Sequence, residues 1–524
     1  MLYRSFFKTV YLLVTIGLYS ALISCHKEIY AGPINSAYSV PFWTSQQSVE
    51  EGAVAMYAQL RANFLPNSCY FMWGDYVAGT FVSSAWNYQP FTAANNPPFE
   101  FPLAMNYYLE NYTNPSPFYQ VIAQSNLMLQ NVPTMNAALF SSGQQNAYIG
   151  EALFMRAYTY FYMTRVWGDP VFVTKSYNNA NYDQIPPLAR TPQHVVLDSA
   201  LNDLRTAANY LNYQGGDPTK SIRANKGTVY ALMAEIFAWQ HKYDSTHVYC
   251  QKVIQNGGYT LEPMATYANI WAGRASKESI FELPMTYNAN DPIFIYNVNN
   301  PNNPSNWAEA NFSFFGTFLK GYIVNNQKNN CWISPIGGPL DNILDTVNDL
   351  RYKAIMQYQN AGNGDVAGYM LLKYANYHVQ TPGSNASAYI GNDLVLIRLA
   401  DIILLDAEAL AYTGDLNDAR NTLGITESRA GISTYTQVPN DTKSMVDEII
   451  AERGRELVGE GQWYYDLIRT EPANGNGWLE TVGYSADPTR NTAAQQGYYW
   501  PLDMNALVTK DPLITQIPYW VTHH

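Results

Sequence analysis

Side chains that could carry metal or covalent chemistry are few in this chain and widely spaced. The seven histidines are scattered along its whole length: His26, His194, His241, His247, His378, His523 and His524. No two of them stand four residues apart, as a zinc-binding helix requires, and the G-x-x-x-x-G-K-[ST] and G-x-S-x-G motifs are absent. The sequence therefore predicts a protein without a metal, a cofactor or a catalytic residue.

Paired carboxylates are the remaining candidates for acid–base chemistry. Glu456 and Glu460 stand four residues apart, and Glu408 follows Asp401 by seven, in stretches with helical character. A glycosidase needs two carboxylates about 5–10 Å apart across a cleft, which spacing along a helix does not show. Because arginines accompany these carboxylates in the same stretches, ion pairs are the favoured interpretation, and a hydrolytic role is the alternative.

The composition is poor in charge and rich in aromatic residues. Of 524 residues, 14% are charged and 15% aromatic, with 43 Tyr, 21 Phe and 12 Trp, and the length allows one large domain or several ordinary ones. The formal net charge of −12 argues against a nucleic-acid partner, which is bound through many phosphates. Tyr and Trp join an apolar ring to a hydrogen-bonding group, which suits a surface for ring-shaped polar ligands. A tyrosine-rich helical core would give the same composition.

The first 24 residues predict an export signal. Arg4 and Lys8 precede the apolar residues 10–23, a stretch shorter than the roughly 20 residues that span a bilayer. It ends in the sequence LISC at Cys25, which looks like a bacterial lipobox. We expect a signal peptide over 1–24, a lipidated Cys25 and a polar tether over 25–45, with the rest of the chain outside the lipid. An ordinary signal peptide with an incidental cysteine is the alternative.

Three further cysteines, Cys69, Cys250 and Cys331, stand far apart in the chain. They allow at most one disulfide and form no zinc-ligand set. We therefore expect the hydrophobic core to stabilise the fold without a disulfide framework.

Hydrophobic periodicity predicts helices that are separated by long polar loops. The expected helices cover 144–167, 192–211, 226–241 and the residues from an N-cap at Asp244 to Gly257, with two further pairs over 393–430 and 442–469. Helix pairs of this length resemble tetratricopeptide units, although no strict 34-residue period is visible. An ordinary helical bundle fits the same pattern.

Two long segments, 66–118 and 284–340, are crowded with Asn, Pro, Gly and aromatic residues. Loops of this length are usually functional or disordered, and the aromatic content argues against disorder. We expect the ligand surface here. The candidate contacts are Trp73, Asp75, Trp86, Tyr88, Tyr107 and Tyr108 in the first segment and Tyr287, Tyr296, Trp307, Phe314 and Trp332 in the second.

Four separated stretches and the end of the chain resemble the SusD/RagB family of outer-membrane lipoproteins of Bacteroidetes. The similar stretches are RAYTYFYMTRVWGDPVFVT (156–174), KGTVYALMAEIFAW (226–239), IRLADIILLDAEALAYTGDLNDARNTLGITESRAG (397–431), ERGRELVGEGQWYYDLIRT (452–470) and YYWPLDMNALVTKDPLITQIPYW (498–520). Pro170 directly after Asp169, Gln462, and Lys510-Asp511 depart from the family pattern. With the lipobox, the resemblance spans residues 25–524 in the expected order.

The resemblance implies an all-α, SusD-like fold, in which tetratricopeptide-like helix pairs form a superhelical scaffold and long loops carry the ligand surface. It implies one domain over 46–524, with an N-terminal part to about 280 and a C-terminal part from about 281. Such proteins are lipid-anchored in the outer membrane, face the exterior, and pass oligosaccharides to a SusC-like TonB-dependent transporter without catalysis. A peptide-binding, RagB-type member is the alternative, and a secreted α-helical glycoside hydrolase is a lower one.

The residues that carry the resemblance are expected to stabilise the fold rather than touch ligand. They lie in or at the ends of predicted helices, where buried ion pairs and caps need specific partners. The expected fold determinants are Arg156, Asp169, Asp401, Glu408, Arg455, Glu460 and Asp466.

Overall fold

The computed structural model forms a helical scaffold with a few short strand pairs. The structure describes residues 42–65, 69–75, 82–83, 112–176, 187–285, 333–334, 345, 347–359, 368–374, 377–379, 388–390, 392–432, 439, 441–474 and 492–522. The predicted signal peptide, the lipidated Cys25 and nearly all of the tether lie outside these residues.

The helices are numbered here in chain order. They are α1 (Gln46–Phe64), α2 (Cys69–Gly74), α3 (Phe118–Asn131), α4 (Gln144–Trp167), α5 (Gln193–Tyr210), α6 (Lys226–Trp239), α7 (Tyr243–Asn256), α8 (Leu350–Ile355), α9 (Leu399–Thr413), α10 (Leu416–Arg429), α11 (Thr442–Glu456), α12 (Trp463–Asn474) and α13 (Pro518–Thr522). A 3₁₀-helix also spans Met264–Trp271, and another spans Leu372–Tyr374.

The strands form two-stranded antiparallel pairs. They are β1 (Val82–Ser83), β2 (Ser279–Leu283), β3 (Ile333–Ser334), β4 (Met356–Gln359), β5 (Gly368–Leu371), β6 (Tyr377–Val379), β7 (Ala388–Ile390) and β8 (Leu394–Arg398). β1 pairs with β3, β2 with β8, β4 with β5 and β6 with β7.

The long helices pack in sequence order. α4 packs on α5, α5 on α6, α6 on α7, and α9 on α7, α10 and α11, while α1 and α3 cover the other side of α4. This order of neighbours is typical of stacked helix pairs, each of which buries its apolar face on the next. The prediction of a helical scaffold built from tetratricopeptide-like pairs is confirmed, and the short strand pairs are an addition to it.

Helix boundaries follow local chemistry. α4 begins and ends where the periodicity predicts, and Gly168 at its C-cap adopts φ +72°. The Asn225 side chain caps α6 by accepting from the amides of Gly227 (2.8 Å) and Thr228 (3.2 Å). Two expectations about helix boundaries are wrong. α7 has Lys242 at its N-cap, with Asp244 in its first turn, and residues 394–398 form strand β8 instead of helix.

The core accounts for much of the tyrosine content. Tyr148, Tyr158, Tyr160 and Tyr162 of α4 are all buried, and the Tyr162 ring stacks on Phe118 with centroids 5.8 Å apart. Aromatic pairs at this distance add to the stabilisation that burial provides. The part of the tyrosine excess that lies in helices therefore serves packing.

Cys69 and Cys250 are buried free thiols. Burial raises the pKa of both thiols, which disfavours the reactive thiolate. Among the helices of the described ranges, no helix combines the length and the hydropathy that crossing a bilayer requires.

Candidate ligand-binding face

The structure places two of the eleven predicted contact residues in the core. Trp73 and Asp75 are each 1% exposed, so neither side chain presents a surface to a ligand, and the expectation for these two is corrected. The other nine lie outside the described residues: Trp86, Tyr88, Tyr107, Tyr108, Tyr287, Tyr296, Trp307, Phe314 and Trp332. What the structure does describe is how the two segments that carry them are held.

Asp75, directly after α2, begins the part of the first segment that carries Trp86, Tyr88, Tyr107 and Tyr108. The Asp75 carboxylate accepts from the backbone amide of Gly461 and, at 3.4 Å, from that of Trp463. Gly74 lies against the same turn so closely that an added Cβ would stand 2.0 Å from the carbonyl oxygen of Gly461. The start of the segment is therefore fixed to the turn between α11 and α12.

Tyr112 follows this part of the first segment and is buried. Its carbonyl oxygen accepts from the indole Nε1 atoms of Trp73 and Trp167, each at 3.1 Å. Thr113 follows, and its carbonyl oxygen accepts from the amide of Asp503 at 3.0 Å. Trp73 thus positions the end of the segment by a buried hydrogen bond, which explains why an indole stands at this core position.

The second segment begins at Pro284, directly after β2. The Pro284 carbonyl accepts from Nη1 of Arg61 at 2.7 Å, and the Met285 amide donates to Oδ1 of Asp393 at 2.8 Å. Asp393 is fully buried and its other oxygen lies 3.2 Å from Nε of Arg274. A buried carboxylate that accepts a backbone amide therefore fixes the start of each segment.

Strands β1 and β3 bring the two segments together. Val82 pairs with Ser334 and Ser83 with Ile333, so residues of the first segment form an antiparallel ladder with residues of the second. β3 also contacts β5, and β5 pairs with β4. We name this β1–β3 ladder the ligand-binding face, because the sequence predicts the ligand surface in the two segments that it joins. No sequence pattern predicts the ladder, because each strand is two residues long.

A buried ion-pair network is centred on Glu456. Arg351, Arg398 and Arg429 all donate to this one carboxylate, which has no solvent exposure. The arginines hold the pKa of Glu456 well below its usual range, in opposition to the effect of burial. Glu460 pairs in turn with Arg398 (2.7 Å) and Lys373 (2.5 Å).

A second buried network joins α9, α11 and α12. Arg453 pairs with Asp401 (2.7 Å) and Asp466 (2.8 Å), and Arg469 pairs with Glu408 (2.6 Å). The four carboxylates that the sequence offers for acid–base chemistry, including Glu456 and Glu460, are thus each 3% exposed or less and engaged by cations. None of them can reach a glycosidic oxygen in this arrangement.

The remaining expected fold determinants also have partners. Arg156 forms a bidentate pair with Asp203, with both distances 2.8 Å, and Arg455 pairs with Glu452 and Glu448. The Asp169 carboxylate accepts from the amide of Gln193 at 2.8 Å, at the start of α5. Each contact lies in or at the end of a helix, as a structural role requires.

Sequence reasoning missed Arg351, Lys373, Asp393 and Arg398, all buried. A usable signal existed for Arg398, because it interrupts the apolar run LVLIRLA, where an unpaired charge would be costly. Within the described ranges, no three His, Cys, Asp or Glu side chains are grouped so that they could hold a metal ion.

The ionisation of Asp75 makes the stability of the protein dependent on pH. Burial raises the pKa of this carboxyl to about 7, against the opposing effect of the two amide donors. Its contribution to stability is therefore present below its unfolded pKa of about 4 and is lost as the pH rises through 7. We expect Asp75→Asn, which mimics the protonated group, to change the melting temperature more favourably at pH 8 than at pH 5.

Asp441→Asn is the matched control for this measurement. Asp441 is an exposed N-cap of α11 whose pKa is lowered by its hydrogen bonds to Ser444, so it is ionised at both pH values. The difference between this variant and the unmodified protein should not change between pH 5 and pH 8. A pH-independent effect of Asp75→Asn would contradict the assignment.

Two family models match the chain. The model described as the SusD family matches residues 346–520, and the model described as starch-binding associating with outer membrane matches residues 44–238. The first contains Glu456 and the turn that receives Asp75, and the second contains α1 to α6. The two matches lie in the same order as the stretches that carried the resemblance.

Relatives that match over nearly their whole length, and solved structures, indicate the same family as the two models. SusD-like protein P38 of Formosa agariphila is 25% identical over 98% of both chains. A solved SusD superfamily protein of Bacteroides thetaiotaomicron superposes with a TM-score of 0.70 at 22% identity, covering 91% of this chain and 99% of that one. A laminarin-binding SusD-like protein superposes with a TM-score of 0.64 at 20% identity, over 91% and 99%. The chain is a member of the SusD/RagB family.

Proposed function

We propose that the protein is a non-catalytic, cell-surface binding protein that captures oligosaccharides and delivers them to a SusC-like TonB-dependent transporter. The observation that carries the proposal is the β1–β3 ladder, which pairs two residues of one aromatic segment with two residues of the other. Aromatic rings stack on the apolar faces of sugars, and amide and hydroxyl side chains bond to their hydroxyl groups.

The family comparisons support a carbohydrate as the ligand. One matching family model is described as starch-binding, and one structural neighbour binds laminarin. The burial of Glu456, Glu460, Asp401 and Glu408 in ion pairs supports binding without hydrolysis. Peptides, the ligands of RagB-type members, are the competing outcome of a binding test.

We also propose the location and domain organisation that follow from the sequence. Residues 1–24 are removed as a signal peptide, lipid on Cys25 anchors the chain in the outer membrane with the protein facing the exterior, and 25–45 form a tether. Residues 46–524 form one domain, which is supported by a large hydrophobic cluster of the described residues that contains both Val49 and Leu502. The matching description of association with the outer membrane supports this location.

The expected affinity is modest. Because sugar hydroxyls are already hydrogen-bonded to water, only the difference between their bonds to protein and to water contributes to the binding free energy. We therefore expect a Kd of about 10⁻³ to 10⁻⁵ M. A transporter partner that holds the protein over its entrance would raise the effective ligand concentration and make such an affinity sufficient.

Titration calorimetry with laminarin and soluble starch tests the proposal. We expect at least one of them to bind, and we expect the triple replacement of Trp86, Trp307 and Trp332 by Ala to abolish binding, because stacking surface is lost in both segments. Trp43→Ala is the matched control, since this half-buried indole packs beside Gly52 of α1, outside both segments. It should leave the Kd unchanged.

Two outcomes would contradict the proposal. Polysaccharide binding by the triple variant with an unchanged Kd would show that the aromatic segments do not form the ligand surface. Release of reducing ends from laminarin or starch by the purified protein would favour the glycoside hydrolase instead.

A further inference from the structure

The turn between α11 and α12, residues 457–462, contacts Asp75 of the first segment and Tyr374, which lies close to strand β5. Gly459 and Gly461 adopt φ +78° and +74°, which glycine tolerates and other residues rarely adopt. The turn is therefore a sharply bent, close-packed element. We name it the base turn.

On one side the base turn holds the start of the first segment. The Gly461 amide donates to Asp75, and the Gln462 side-chain amide lies 3.3 Å from the hydroxyl of Tyr70 in α2. An added Cβ on Gly461 would stand 2.4 Å from the Tyr70 ring, so α2 and the turn are in direct contact.

On the other side the base turn holds the strand that supports the second segment. The Tyr374 hydroxyl donates to the Gly459 carbonyl at 2.7 Å, and Lys373 donates to Glu460 at 2.5 Å. An added Cβ on Gly459 would stand 2.3 Å from Leu371, the last residue of β5. β5 contacts β3, and β3 pairs with β1.

These contacts form a closed circuit. It runs from Asp75 through the base turn to Tyr374 and β5, then through β3 to β1, and β1 lies in the same segment that starts at Asp75. We propose that the base turn sets the spacing of the two segments, and that Asp75 and Tyr374 are positioning residues for the ligand-binding face although neither touches ligand. This inference rests on the proposed function for the identity of the face, and on the contacts alone for the coupling.

The two sides of the base turn can be altered separately, so the coupling between them can be tested. Asp75→Ala removes the acceptor on the α2 side, and Tyr374→Phe removes one hydroxyl on the β5 side. If the base turn couples the segments, each variant should accelerate amide hydrogen exchange in both β1 and β3 peptides, including the strand on the opposite side of the turn. Exchange in α5 and α6 should stay unchanged.

Tyr160→Phe is the matched control. The Tyr160 hydroxyl is bonded to the backbone of Val173, at 2.8 Å from its carbonyl oxygen and 2.7 Å from its amide, away from the base turn. This variant loses the same group from the core and should leave exchange in β1 and β3 unchanged. If Asp75→Ala does not fold, Tyr374→Phe, the milder of the two test variants, tests the coupling by itself.

Binding supplies the second readout. With laminarin and soluble starch as probes, the Kd should rise about three- to tenfold in both test variants and change by less than about twofold in Tyr160→Phe. Faster exchange confined to α2 in Asp75→Ala, or to β4 and β5 in Tyr374→Phe, would overturn the coupling. If neither polysaccharide binds the unmodified protein, the proposed function fails while the exchange measurement still decides the coupling.

Discussion

Replacing Glu456 by Gln should lower the free energy of unfolding by about 3–5 kcal/mol, because it leaves buried guanidinium groups without their shared counter-charge. Arg398 lies 2.6 Å and Arg351 2.7 Å from the carboxylate, and Arg429 bonds to the same oxygen as Arg398. A glutamine oxygen can still accept one or two of these bonds, but it carries no charge. Chemical denaturation with circular dichroism measures the effect.

Asp447→Asn, on the same helix, is the control for the loss of one carboxylate. Asp447 forms an exposed i,i+4 pair with Lys443 at 3.0 Å, and exposed pairs contribute about 0.3–0.5 kcal/mol. A loss of less than about 1 kcal/mol in Glu456→Gln would show that water or rearrangement compensates the arginines.

The sign of the pH dependence gives a second check on Glu456. Its pKa in the folded state is held below the ordinary value of 4.5, so its contribution to stability is present above that value and is lost as the pH falls below it. The difference in stability between Glu456→Gln and the unmodified protein should therefore shrink in acid. This direction is opposite to the one expected for Asp75.

Replacing Gly74 by Ala should destabilise the protein by more than about 3 kcal/mol or prevent its folding. The new Cβ would stand 2.0 Å from the Gly461 carbonyl oxygen and 2.3 Å from its carbonyl carbon. These are backbone atoms of the base turn and cannot rotate away as a flexible side chain could. Relief would require α2 to separate from the turn, which would break the contacts of Asp75.

Gly424→Ala is the matched control, because it makes the same substitution in a helix with open space around it. Nothing lies within 4 Å of an added Cβ at Gly424 of α10, and alanine favours an exposed helix by about 0.5–1 kcal/mol. We expect this variant to be more stable than the unmodified protein in thermal unfolding. A Gly74→Ala protein with an unchanged melting temperature would show that α2 has another way to dock.

Helix positions could be predicted from the sequence where periodicity, caps and stops agree. α4 combines helical periodicity with a stop at Gly168, and the predicted bounds agree with the structure to the residue. β8 could not be separated from the helix that follows, because a short buried run such as LVLI has no period that distinguishes a strand from a helix. Its partner β2 lies more than a hundred residues earlier, so pairing gave no local signal.

The candidate site was less predictable because burial and long-range pairing decide it. Trp73 stands in an aromatic-rich stretch, and its type suits a sugar-binding surface as well as a core. Only the contacts of its indole with Tyr112 distinguish the two. Likewise, the three arginines around Glu456 come from separate elements, and no spacing in the sequence indicates that they meet.

The bond between Asp75 and Gly461 joins residues 386 positions apart, and this separation has a consequence for the order of folding. Helices α3 to α7 pack on near neighbours in sequence, so they can form from contacts of low sequence separation. The ligand-binding face cannot close until the chain beyond residue 461 has joined them, because a long loop must be closed first. If the protein is exported with its N-terminus leading, as we propose, the ligand-binding face would therefore form last, after the scaffold has assembled.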